Sequence, residues 1–430
     1  MNVTFLVGNG FDIGLGLKTR YSDFYEEYCK ADKADSEIIT KFKQTLREWQ
    51  NNKSKKIIDW SDFEFAFGQY AKQFAPEDSH LYLECFEHFI ESFNSYLEKE
   101  VKKVYFVENK SVISDTMLKA IEGSYYNICR EDRAIINKIY SQDKGVKVFR
   151  FVTFNYTKCI DKCVEILKNS IKDSSSYKIK PTLHIHGYIE ENMIVGVNDS
   201  TQIDNISFSK DEAVIQEMVK PTQNAESRTG YDRALTQQIN ESDIICIYGM
   251  SIGDTDKKWW TLISKWLSAD DKHIVIILSH QEENVIRFPH KQRKSRISIV
   301  QKLLSFSKQS EPLKSIIKER IYVGFNNDIF KMDLFIKKED VSEKFDKRPY
   351  IADYAKSRGQ MFGGIENNSY DLPKVNTIGS GKGIAAISTV KGIDIPSIVD
   401  KPSASSIIDF EQDDDSIESI SKRKPLTIKL

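Results

Sequence analysis

Val3-Thr4-Phe5-Leu6-Val7-Gly8-Asn9-Gly10-Phe11-Asp12 is an apolar run that ends in a glycine turn. Such a run of β-branched, aromatic and aliphatic residues fits a buried strand. The glycines behind it tolerate positive φ and carry no side chain, so backbone can come close to a phosphate or sugar. A helix opening just after the turn would add unpaired N–H groups and its positive end. The spacing Gly8-x-Gly10-x-x-x-Gly14 departs from the dinucleotide pattern G-x-G-x-x-G, because the third glycine arrives late. Taken alone, the turn fits a nucleotide site and an ordinary tight β–α turn equally well.

Working outward, residues 21–144 change to helical spacing. Tyr21, Phe24, Tyr25 and Tyr28 recur on one face, as do Phe86, Phe89, Ile90, Phe93 and Tyr96. Phe63, Phe65 and Phe67 alternate instead, which leaves that stretch ambiguous. Strand character returns at 147–154, 182–186, 193–197, 243–248 and 273–278, with a short strand near 321–324. A helical stretch near 257–267 separates two of these runs. The pattern predicts a parallel sheet with helices on its faces. Residues 21–144 are too long for a simple crossover and read as an inserted helical module or lid. The expected organisation is a Rossmann-like nucleotide-binding domain from 1–20 plus 145–330, the inserted module at 21–144, and an extension at 331–430. That extension is charged and glycine- and serine-containing. Its Gly-Ser-Gly-Lys-Gly run at 379–383 lacks the phosphate-loop spacing and has Gly383 where Ser or Thr is needed.

The 430 residues carry 62 Lys and Arg against 63 Asp and Glu, a net charge of -1, which argues against a general basic surface for nucleic acid. Six cysteines, at 29, 85, 129, 159, 163 and 246, form no CxxC pair. The first residues lack a basic region followed by a long apolar stretch, and no run reaches membrane-spanning length. The expectation is a cytoplasmic protein without a membrane segment.

Three further segments carry candidate chemistry. Asn155, in Thr153-Phe154-Asn155-Tyr156-Thr157, sits at a strand end, where an amide can donate and accept together. It can orient a ribose hydroxyl or a water, or merely close a turn, with Thr157 capping the next helix. In Leu183-His184-Ile185-His186-Gly187, His186 lies nearer the sheet edge and is the candidate proton acceptor. No acidic or cysteine partner stands at a metal-binding spacing to the two histidines. In Tyr248-Gly249-Met250-Ser251-Ile252-Gly253-Asp254-Thr255-Asp256, Gly249 permits a turn and Ser251 can bind a ribose or phosphate. Asp254 or Asp256 can accept from ribose hydroxyls or cap the following helix. Residues 196–199, Arg228 and Arg233 are weaker candidates for a pocket rim.

These blocks, in this order, resemble the AbiH family of bacteriophage abortive-infection proteins. The opening block carries it, with Gly8-Asn9-Gly10-Phe11-Asp12 followed by Thr19, Tyr21 and Phe24. The resemblance covers about residues 1–330 and implies bacterial defence against phage, acting inside the cell. The order is also similar to the sirtuin-like (SIR2) NAD-binding domains. That more distant similarity places its glycine-rich opening on Gly8, Asn9 and Gly10 and its ribose-binding block on Gly249 and Ser251; with Phe11, Asp12 and Asp254, read from the residues themselves, these are the expected cofactor-type contacts. The same similarity places catalytic roles on Asn155 and His186 and requires no bound metal or prosthetic group. Thr157 stands where the SIR2 block ends in aspartate, and the zinc module of deacetylases is missing. The implied activity is hydrolysis of NAD to nicotinamide and ADP-ribose on a trigger from the phage or a partner defence protein, in a chain that can self-associate. A non-catalytic nucleotide-sensing subunit and a nuclease are the alternatives.

Overall fold

The computed structural model describes residues 1–30, 34–51, 60–172, 176–279, 289–325 and 328–335. The chain divides into two units, Met1–Pro349 and Tyr350–Leu430. The second unit, with the glycine-rich run at 379–383, lies outside the described residues.

Among the described residues, seven strands form one sheet: β1 (Asn2–Val7), β2 (Lys147–Thr153), β3 (Tyr177–Ile179), β4 (Leu183–His184), β5 (Ile244–Tyr248), β6 (Ile274–Leu278) and β7 (Ile321–Gly324). The order is β3-β2-β1-β5-β6-β7, with β4 also beside β2, and every pairing is parallel. The first strand thus lies in the middle, between β2 and β5. Successive residues alternate between faces. Val3, Phe5 and Val7 join Phe149, Phe151, Cys246 and Ile276 in one core, while Leu6 joins Val152, Ile245, Ile247 and Ile277 in the other. Helices Lys110–Gly123, Arg130–Gln142 and Cys159–Ser170 supply apolar residues to the first core. Helices Tyr231–Asn240, Lys257–Ala269 and Pro289–Ser305 supply the second. Both faces are therefore covered, which is why β1, β5 and β6 read as continuous apolar runs.

The helical insertion does two jobs. Its last two helices, just named, cover the sheet. Its first four, Tyr21–Tyr28, Glu37–Asn51, Trp60–Tyr70 and Ser79–Val101, build a third core rich in aromatics. The alternating phenylalanines resolve as a helix: Phe63 and Phe67, four apart, are buried, and Phe65 faces outward. Phe63 stacks on Phe89 at 4.0 Å between ring centroids. The apolar run at 193–197 is not a strand of the sheet. Val195 and Val197 instead bury against the helical core, with a single bridge from Val197 to Val219. The expected strand at 182–186 shortens to two residues, and β3 was not foreseen because Tyr177-Lys-Ile179 is brief and polar at its centre.

Candidate active site

Register brings the motifs together. Val7 is level with Thr153 on β2 and Tyr248 on β5, and Thr153 is level with His184 on β4. In a parallel sheet the residues that follow all leave by the same edge. The order turns back between β1 and β5, and such a switch point leaves a crevice at the carboxyl edge. A cleft of about 980 Å³ lies here, lined by Gly8, Asn9, Gly10, Asp12, Asn155, His186, Gly249, Ser251 and Asp256 among others. Two expected residues fall elsewhere. Phe11 is buried in the core and meets Phe330 edge-on, and Asp254 is exposed and does not line the cleft. Arg233 lies on a separate surface hollow with Asp232 and Glu241.

The glycines of the two central loops allow backbone to meet backbone. Gly8 N–H donates to Tyr248 O at 2.9 Å and Gly10 N–H to Gly249 O at 3.0 Å. A Cβ on Gly249 would stand 2.6 Å from Gly10 Cα, and its φ is +65°. Only glycine fits that approach. Phe11 N–H is also bonded, to Gly8 O. The turn is thus more committed to the neighbouring loop than its sequence suggests. The helix after it, Gly10–Gly14, is a single short turn. Asn9 bonds Thr19 through both ends of its amide, at 2.6 and 2.7 Å.

Asp12 and Thr157 form one pair across the cleft floor. Thr157 was expected to cap the next helix, but its Oγ1 donates to Asp12 Oδ2 at 2.8 Å instead, and Lys158 occupies the cap position. Burial pushes the Asp12 carboxyl up to about 7, against the opposing help of Thr157, Asn155 and His184. Asn155 Nδ2 and Asp12 Oδ1 are both buried and share no well-formed hydrogen bond, although the amide is close enough to favour the carboxylate.

The two histidines have different carboxylate partners. His184 Nε2 lies 2.7 Å from Asp161 Oδ2 and does not line the cleft. His186 Nε2 lies 3.1 Å from Asp256 Oδ1. The His186 ring is walled by Phe154, edge-on at 5.2 Å, and by Tyr156, stacked at 6.3 Å. Asp256 therefore does not cap the Trp-containing helix through its side chain.

Two residues at this end of the cleft had no functional reading in the sequence. Lys220 Nζ stands 2.8 Å from Glu64 Oε2 and 3.3 Å from Asp256 Oδ1, and both Lys220 and Glu64 line the cleft. Burial works against the charge on Lys220, but Asp256 and Glu64 hold its ammonium above the ordinary lysine value. Burial raises Asp256, yet Lys220 and His186 pull it well below the usual carboxylate range. Glu64 stays raised by burial despite Lys220. Sequence signals were present for both. Glu64 is a lone acid in the aromatic run Phe63-Glu64-Phe65-Ala66-Phe67, and Lys220 puts a cation in the first turn of a helix, where the dipole disfavours it.

A model of the family described as bacteriophage abortive infection AbiH matches residues 4–278, more than half of the chain. The chain belongs to the AbiH family. Its general role is abortive-infection defence against bacteriophage. The match spans all four cleft-forming blocks of this AbiH protein, as well as Glu64 and Lys220. No curated protein matches the chain. Among the described residues, no helix is long and apolar enough to cross a membrane, and no cluster of three His, Cys, Asp or Glu side chains is arranged to hold a metal.

Proposed function

We propose that the cleft binds NAD and hydrolyses it to nicotinamide and ADP-ribose as the defence reaction. The observation that carries this reading is the meeting of Asn155 and an aspartate-backed His186 in one cleft at the switch point of the sheet. Its volume, about 980 Å³, lies at the upper end of the common range for small-molecule sites. Water attacks C1′ of the nicotinamide ribose, forming the C–O bond as the C1′–N bond breaks. The electron pair of that bond returns to the pyridine nitrogen, which leaves as neutral nicotinamide. His186 accepts the proton from water and Asp256 offsets the charge that forms. With Nε2 turned to Asp256, Nδ1 is the ring nitrogen available to the water. Asn155 orients the water or a ribose hydroxyl.

Phosphate recognition falls to the cations of the rim more than to the turn. Arg20, Lys302 and Lys331 all line the cleft. Lys302 Nζ also donates to Ser251 O at 2.7 Å, so a cation is fixed beside that loop. Asp12, the acid nearest the turn, is compatible with an anionic ligand because burial leaves it largely neutral below about pH 7.

One observation favours a non-catalytic nucleotide sensor as the second reading: Thr157 stands where the SIR2 block ends in aspartate, and its hydroxyl is bonded to Asp12. The test is to incubate the purified chain with NAD, with and without extract of infected cells, and follow free nicotinamide. Release supports hydrolysis. Saturable NAD binding without release in either condition supports the sensor. Metal-dependent loss of DNA or RNA with NAD intact would support a nuclease.

A further inference from the structure

His186 is tied to the inserted helices through a buried chain of charges. Asp256 Oδ1 lies 3.1 Å from His186 Nε2 and 3.3 Å from Lys220 Nζ, and Lys220 Nζ lies 2.8 Å from Glu64 Oε2. Side-chain exposure is only 4% for Glu64 and His186 and 6% for Lys220. The four residues come from separate pieces of chain: helix Trp60–Tyr70, the segment beyond β4, helix Lys220–Glu226 and the turn Asp254–Asp256. Glu64 is itself anchored, because its Oε1 accepts from Gly196 N–H at 3.3 Å.

Stability alone does not account for this arrangement. Desolvating several charges offsets most of their attraction, and apolar side chains of equal size are often as stable. Geometry does account for it. A carboxylate can fix the ring of a histidine and offset the charge on an imidazolium, provided the carboxylate itself stays in place. Asp256 sits at the end of a three-residue turn and has no side-chain cap bond to hold it there. Lys220 supplies the hold, and Glu64 fixes Lys220.

We infer that Glu64 and Lys220 are positioning residues for His186. Lys220 holds Asp256 against the imidazole, and Glu64 carries that restraint back to the inserted helices. The insertion is then a working part of the site, and a displacement of helix Trp60–Tyr70 would reach the base through this chain. The role rests on the assignment of His186 as the base in NAD hydrolysis.

Two measurements on the purified full-length chain test it. The first is the kinetics of nicotinamide release. Lys220→Met and Glu64→Gln should each lower kcat about 10–100-fold while KM stays within about twofold, and Lys220→Arg should recover most of the loss. The second is independent of turnover: exchange of the imidazole C2–H for deuterium, read at each histidine by mass spectrometry. Exchange at His186 should change by about threefold or more in both variants, because it responds to the ring's charge environment. His184, held by Asp161, should exchange as in the parent protein and serves as the internal reference. Unchanged His186 exchange in folded variants overturns the positioning role. Changed exchange in the variants of a chain that never releases nicotinamide upholds the linkage and refutes NAD hydrolysis. Glu64→Gln is nearly isosteric and still accepts from Gly196, so it carries the test if Lys220→Met does not fold.

Discussion

Asp12→Asn should stabilise the protein at neutral pH, and the gain should disappear in acid. The Asp12 carboxyl is 2% exposed, and burial raises it from 3.8 to about 7. Below about pH 4, folded and unfolded chains both carry the neutral acid, and the site imposes no penalty. Between about 4 and 7 the unfolded chain releases its proton while the folded chain keeps it, so stability falls as pH rises. Above about 7 both forms are ionised and the penalty is constant. A rise of about three units, at ~1.4 kcal/mol each, sets a ceiling of about 4 kcal/mol. An asparagine oxygen can still accept from Thr157 Oγ1, and the help that bond gives the carboxylate is already contained in the raised value. The gain at alkaline pH therefore approaches that ceiling of about 4 kcal/mol. Urea unfolding of parent and variant at a series of pH values measures it. The difference should be near zero at about pH 4 and reach its full size by about pH 8. A difference that does not vary with pH, or a variant less stable than the parent at the alkaline end, would refute the reasoning.

Three substitutions probe other parts of the account. Gly249→Ala forces a side chain into φ +65° and to 2.6 Å from Gly10 Cα; it should cost about 2–4 kcal/mol, and an unchanged melting temperature would show that the loops are free to part. His184→Ala removes a buried ring 2.7 Å from Asp161; stability should fall by about 1–3 kcal/mol while nicotinamide release stays within about threefold of the parent, and a folded variant without activity would move the base to His184. Asn155→Ala should lower kcat about 10–100-fold with little change in the Kd for NAD measured by calorimetry, and a loss confined to binding would make Asn155 a contact rather than an orienting group.

The sheet was legible because burial on both faces leaves a mark in the sequence itself. Residues 244–248 and 274–278 are unbroken apolar runs, and the structure places the first beside β1 and the second beside the first. The run at 193–197 has the same composition but packs on helices, and composition alone does not separate these two environments. Motif order also exposed the cleft, since parallel strands send Asn155, His186 and Ser251 out by one edge. What could not be read was pairing across long separations. Thr157 and Asp12 are 145 residues apart, and Lys220 and Glu64 are 156 apart. Each has a satisfactory local explanation, as a cap or a surface charge, and only the fold replaces it. The two aspartates 254 and 256 show the same limit. Asp254 is the one named among the expected contacts, yet it faces solvent while Asp256 closes on His186.

The central claim is that His186 is the base of an NAD-hydrolysing site, and its most direct test is the rate of nicotinamide release by the purified parent chain and by a folded His186→Ala variant. The parent should release nicotinamide measurably under the triggering condition, and the variant should lose about 10²–10⁴-fold of that rate with NAD still bound. Equal release by the two proteins, or saturable NAD binding with no release by the parent in any condition, would contradict that claim.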